Sequence, residues 1–124
     1  MSSVVVKSVD FDLVRRAMDA WAAHLLATRP DVEEIVVFGS FAEGRYAPGS
    51  DLDVLVVLAR AEQPVRDRIG DLLPDAFPVG VDLFPFTRDE LRERSGSPVL
   101  EAIRRSRWRY LRGAGVPALG ATRP

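Results

Sequence analysis

Asp51 and Asp53 stand one residue apart at the entry to an apolar run, Leu52 to Leu58. In extended chain, residues two apart project to the same side. The pair therefore presents two carboxylates together, and these repel each other unless a cation lies between them. Hard cations such as Mg²⁺ take carboxylate oxygens and commonly bring substrate phosphates with them. Alone, the pair also reads as a solvated strand entry, with Ser50 capping a turn. Gly39 and Ser40 supply a second feature directly after another apolar run, Ile35 to Phe38. Glycine lets backbone approach a ligand closely, and a serine hydroxyl with the amides that follow it can receive a phosphate. Alone, that dipeptide is a common strand exit. Asp82 is the third feature, inside the apolar stretch Val81 to Phe84. A buried carboxylate without a partner is costly, so Asp82 is either an exposed residue on an edge strand or part of the same charged site.

These residues need a sheet to hold them. Residues 33–38 and 52–58 are rich in β-branched side chains without polar alternation, the pattern of strands covered on both faces. The connection between them is too long for a tight hairpin and fits a short helix, 41–43, followed by a loop through Pro48 and Gly49. Residues 79–86 read as a third strand, with Pro85 marking an edge or an end. A short last strand is expected at Trp108, Tyr110 and Leu111. Helix is expected over 10–28, where Phe11, Val14, Met18, Trp21 and Leu25 recur at spacings of three and four, with Asp10 as cap and Pro30 beyond the end. A second helix runs over 64–73 with Val65, Ile69, Leu72 and Leu73 as its buried stripe. Thr87 and Glu90 have capping-box spacing for a short helix to Arg94. Ser97 and Pro98 open another to Arg105, with Val99, Leu100 and Ile103 facing inward. Strand segments divided by helices argue for an α/β (α+β) domain, residues 1–112, followed by a flexible tail, 113–124.

The bulk properties narrow the class. A chain of 124 residues, 47% hydrophobic and 28% charged, is one globular domain with a real core. A formal net charge of −1 gives no global pull toward nucleic acid or membrane. With no cysteine there are no disulfides or thiolate metal sites. His24, the only histidine, has neither Cys nor a second His to join it and reads as a boundary residue of the first helix. No apolar run reaches the roughly 18 residues of a membrane span, and the N-terminus is too short in its apolar part for a signal peptide. A cytoplasmic protein is expected.

Gly39 and Ser40, ten intervening residues, then Asp51 and Asp53 resemble the signature of the DNA polymerase β-like nucleotidyltransferase superfamily. The size and fine pattern are similar to its minimal nucleotidyltransferase (MNT) branch over roughly residues 10–112. The resemblance implies a mixed sheet of about four strands flanked by helices. It implies two Mg²⁺ held by Asp51, Asp53 and Asp82, and ATP whose phosphates meet Gly39 and Ser40, with Arg45 and Ser50 also counted as nucleotide-binding. It further implies an antitoxin that transfers AMP to a tyrosine hydroxyl of a partner HEPN-domain ribonuclease toxin. No direct nucleic-acid ligand and no membrane are expected, and homo- or hetero-oligomerisation is left open. One position departs from the pattern. Members often carry a basic residue just before the second glycine, where this chain has Glu43, with Arg45 following Gly44 in reverse order. Arg45 is then the candidate for the displaced positive charge. Two other readings stand beside this one: a catalytically weak antitoxin that occludes its partner, and an aminoglycoside-like small-molecule nucleotidyltransferase. The latter is disfavoured by the missing acceptor domain.

Charge is unevenly spread. Residues 88–112 hold eight Arg against four acids. They read as solvated helix faces or as a surface for a partner or RNA. Asp31, Glu33, Glu34, Glu43, Asp51 and Asp53, with only Arg45 against them, suggest an acidic active-site edge. Trp21, Trp108 and Tyr110 read as core or interface.

Overall fold

A computed structural model describes residues 10–113. The expected tail beyond Gly113, and residues 1–9 of the expected domain, lie outside the described residues. The elements in chain order are α1 (Phe11–Thr28), β1 (Val32–Phe38), α2 (Ser40–Glu43), β2 (Leu52–Leu58), α3 (Val65–Leu72), β3 (Val81–Thr87), α4 (Arg88–Glu93), α5 (Pro98–Arg105) and β4 (Trp108–Leu111). The four strands form one sheet in the order β3-β2-β1-β4. β1 pairs antiparallel with both β2 and β4, whereas β2 and β3 run parallel. The fold is thus the expected mixed sheet with flanking helices.

The uninterrupted apolar runs of β1 and β2 follow from their central place, because each side of the sheet has its own core. On one face, α1 lays Val14, Met18, Trp21, Ala22 and Leu25 against Ile35, Val37, Val54, Val56, Trp108 and Tyr110. The opposite face gathers Val36, Phe38, Leu55, Val57 and Ile103, with Phe84, Phe86 and Leu91 packed at its margin. Asp10 caps α1 by accepting the Leu13 N–H at 3.1 Å. The capping box of α4 is present in both directions between Thr87 and Glu90. Ser97 caps α5 by accepting the Leu100 N–H, with Pro98 in its first turn. Trp21, Trp108 and Tyr110 are all core, and His24 is exposed on α1.

Two helical stripes differ from expectation. In α3 the buried residues are Leu72 and Arg68, while Leu73 is exposed. Arg68 can be buried because its guanidinium is matched: it donates to Gln63 O, to Pro85 O and to both carboxylate oxygens of Glu90. Pro64 precedes this helix as its cap residue instead of occupying its first turn. In α5 Ile103 is buried but Val99 is exposed, on the rim of an apolar groove it shares with Phe84, Phe86 and Leu100. The third strand begins at Val81, two residues later than its composition suggests, because pairing with β2 starts at Leu52 opposite Val81.

Candidate active site

The site lies where β1 ends and β2 and β3 begin. β1 runs antiparallel to β2, and β2 runs parallel to β3, so these three termini meet at one edge of the sheet. Phe38 stands opposite Asp53 across β1 and β2, and Asp53 stands opposite Asp82 across β2 and β3. Cross-strand partners share a face, so Asp53 and Asp82 project to the side occupied by Phe38, Leu55, Phe84 and Phe86. Asp82 is both of the things its sequence context left open. It is exposed, on an edge strand, and it sits beside Asp53.

The electrostatics centre on Asp53. Its carboxyl is pushed up to about 6, first by burial, then by the charges of Asp82 and Asp51, and by a hydrogen bond shared with Asp82. Among the described residues no three or more Asp, Glu, His or Cys side chains are gathered closely enough to hold a metal ion as they stand. Asp51, Asp53 and Asp82 make an open cluster in which Asp53 feels both neighbours. The chemistry of this donor set fits a divalent cation: hard oxygens, excess negative charge, and a central carboxylate held partly from water.

Two glycines make room for the cluster. Gly39 has φ 79° and ψ −153°, backbone that side-chain-bearing residues rarely adopt. A Cβ there would lie 2.2 Å from Oδ2 of Asp53. The close approach expected of this glycine is therefore to the chain's own carboxylate. Gly80, overlooked in the sequence, does the same for the other acid, since its Cβ would lie 2.3 Å from Oδ1 of Asp51. Its carbonyl accepts the Leu52 N–H at 2.8 Å, which fixes the backbone between the two aspartates. A glycine just before a strand was the only signal, and its meaning depends on a register that sequence does not display.

Ser40 opens the one-turn helix α2, and its carbonyl accepts the Arg45 N–H at 2.8 Å. Ser50 closes the turn ahead of Asp51. Its Oγ accepts the Ala47 N–H and its own N–H donates to Ala47 O, each at 2.9 Å. A serine hydroxyl used as acceptor still has a proton to donate. Arg45 is exposed and turned to Glu43, whose Oε1 receives both its Nε at 3.0 Å and its Nη2 at 2.6 Å. The other oxygen of Glu43 receives Arg105 Nη2 at 2.7 Å.

The acidic edge expected from composition is smaller than the sequence suggests. Asp31 pairs with Arg29, Glu33 with Arg88, and Glu34 with Arg109. Asp31 and Glu33 also lie toward the other end of β1, away from Gly39. Several Arg of residues 88–112 are thereby absorbed into intramolecular pairs, as solvated helix faces would have them.

Comparison with known proteins follows the same lines. The family model described as Nucleotidyltransferase domain matches residues 22–105, which include every candidate site residue. A candidate nucleotidyltransferase from Sulfolobus solfataricus, known from a crystal structure at 1.40 Å, superposes with a TM-score of 0.54. It shares 24% identity over 67% of this chain and 75% of its own, a likeness of fold. No protein of curated function matches. Among the described residues no helix is long and apolar enough to cross a membrane.

Proposed function

The chain belongs to the nucleotidyltransferase domain family, and from that premise we propose that it is a Mg²⁺-dependent enzyme transferring AMP from ATP to a protein hydroxyl. The acceptor we assign is a tyrosine of a HEPN-domain toxin, which makes the protein an antitoxin. The observation that carries the nucleotidyl-transfer part is the Asp53–Asp82 opposition with Asp51 alongside, at the strand edge that also bears Gly39 and Ser40. The MNT-like spacing supports the finer reading.

In this reading Asp51, Asp53 and Asp82 would hold the divalent cations, which supply charge neutralisation for the attacking and leaving oxygens. The acceptor oxygen attacks the α-phosphorus. A new O–P bond forms, the bond from the α-phosphorus to the bridging oxygen breaks, and pyrophosphate leaves. Asp82, exposed beside Asp53, takes the acceptor's proton. Ser40 donates its hydroxyl to the β- or γ-phosphate, Gly39 keeps the turn close to Asp53, and Ser50 donates at the turn before Asp51. Positioning of this kind provides much of the rate in phosphoryl-type transfer.

A second reading has its own observation. Glu43 places a carboxylate where a basic residue is common in the MNT branch and engages two guanidiniums, which favours a weak enzyme that occludes its partner. Incubation with Mg²⁺, α-labelled ATP and the co-purifying partner separates the readings. Label on the partner is the expected result. A tight unlabelled complex would establish occlusion instead, and label only on an added aminoglycoside would establish the small-molecule enzyme.

A further inference from the structure

The departure at Glu43 has a structural counterpart. Glu43 ends α2, one helical turn from Gly39, and its N–H donates to Gly39 O at 3.0 Å. One turn is about 5.4 Å of rise. Its carboxylate is shared between Arg45, two residues along the chain, and Arg105, at the end of α5. These two guanidiniums, with Arg45 first, hold the Glu43 carboxyl below its usual range. A small cleft of about 140 Å³ opens alongside, lined by Ala42, Glu43, Arg105, Ser106 and Arg107. Two guanidiniums thus engage one carboxylate that ends the single turn begun at Gly39 and Ser40, and Arg107 lines the adjoining cleft. Arg45 directs two donor atoms at Glu43 and Arg105 directs one, leaving other N–H groups of each open to an anion.

The arrangement contributes little to stability, because ion pairs this exposed are worth little. What it does is fix direction. A flexible arginine loses rotamer freedom when it meets a phosphate, and one already held loses less. We propose that Glu43 is a positioning residue: its carboxylate holds Arg45 and Arg105 beside the Gly39–Ser40 turn, where they and Arg107 receive the terminal phosphates of the nucleotide and the pyrophosphate that leaves. Positive charge is thereby restored near the turn, drawn partly from α5. This assignment rests on the reading of the site as one for nucleotidyl transfer.

The test measures binding of ATP and AMP, with Mg²⁺, to the full chain and to the exposed-site variants Arg105→Ala, Glu43→Gln and Glu43→Asp. Only ATP carries the phosphates concerned. Arg105→Ala and Glu43→Gln are expected to weaken ATP roughly tenfold, the scale of one charge-assisted hydrogen bond, with AMP binding unchanged. Glu43→Asp, which keeps the charge, should recover part of the loss. If Glu43→Gln instead tightens ATP, Glu43 competes with phosphate for the arginines and the proposal is overturned. Equal ATP-to-AMP ratios in all variants would also overturn it, while leaving the nucleotide site itself in place. A wild-type chain that binds neither nucleotide removes both this proposal and the reading beneath it.

Discussion

Asp53 on β2 and Asp82 on β3 are direct partners in the parallel ladder, and the carboxyl of Asp53 is pushed up to about 6 in their company. A residue so placed is costly to the fold and useful to the site. Replacing it separates the two effects. Asp53→Asn is expected to abolish AMP transfer. It should also raise the thermal midpoint of the metal-free protein, because a partly desolvated, repelled charge is removed. Differential scanning fluorimetry beside a labelled-ATP assay checks both halves, and retained turnover would end the assignment of Asp53.

The same pKa gives a pH dependence whose sign can be worked out. The ordinary aspartate value is 3.8, and in the folded chain it is about 6. Between these values the native state binds the proton that the unfolded state has released, so this group's contribution to stability falls as pH rises from about 4 to about 6. Cation binding needs the ionised form and runs the other way. Stabilisation by added Mg²⁺ is expected to be small at pH 5 and larger at pH 7.5, read as the shift of the unfolding midpoint on addition of EDTA.

Gly39 and Gly80 make contrasting substitutions. Gly80→Ala meets Oδ1 of Asp51, and its backbone is not in the positive-φ region. It should displace the acid, cutting turnover at least tenfold with a modest loss of stability. Gly39→Ala meets Oδ2 of Asp53 and is strained by its φ of 79° as well. That variant should lose both turnover and roughly 1–2 kcal/mol of stability. Urea denaturation distinguishes them, since only the second should shift the midpoint strongly.

Away from the site, Arg68 and Glu90 join α3 to α4 at 2.8 Å. The Arg68 guanidinium, with help from the Thr87 N–H, lowers the Glu90 carboxyl to about 2. A carboxylate depressed in this way stabilises the fold above its ordinary value of 4.5, and the contribution is lost as pH falls from there toward 2. Glu90→Gln should therefore cost roughly 1–3 kcal/mol at pH 7, by leaving Arg68 with poorer partners. The deficit should shrink in acid, measured by denaturant unfolding at pH 7 and pH 3.

Local pattern carried much of this fold. The two central strands, the caps at Asp10, Thr87 and Ser97, and the Gly39–Ser40 and Asp51–Asp53 features all depend on neighbours within a few residues. What local pattern lacked was partnership across the chain. Arg68 lies outside the stripe expected to be buried in α3, because its partners Glu90 and Pro85 are distant in sequence. Glu33 and Glu34 looked like part of an acidic edge until Arg88 and Arg109 were seen beside them. Gly80 was silent because only the parallel register of β3 brings it against Asp51.

The mixture of strand directions also gives the site a history. Asp51 and Asp53 reach Gly39 when β2 folds back on β1, which closes residues 39–51. Asp82 arrives only when β3 docks parallel to β2, after the crossover of residues 59–80. Longer closures cost more chain entropy, and parallel pairing is slow to form. During synthesis or refolding, the aspartate pair therefore exists first, beside its turn and without its third acid. A chain halted at that stage lacks the third acid, so competence waits on the docking of β3.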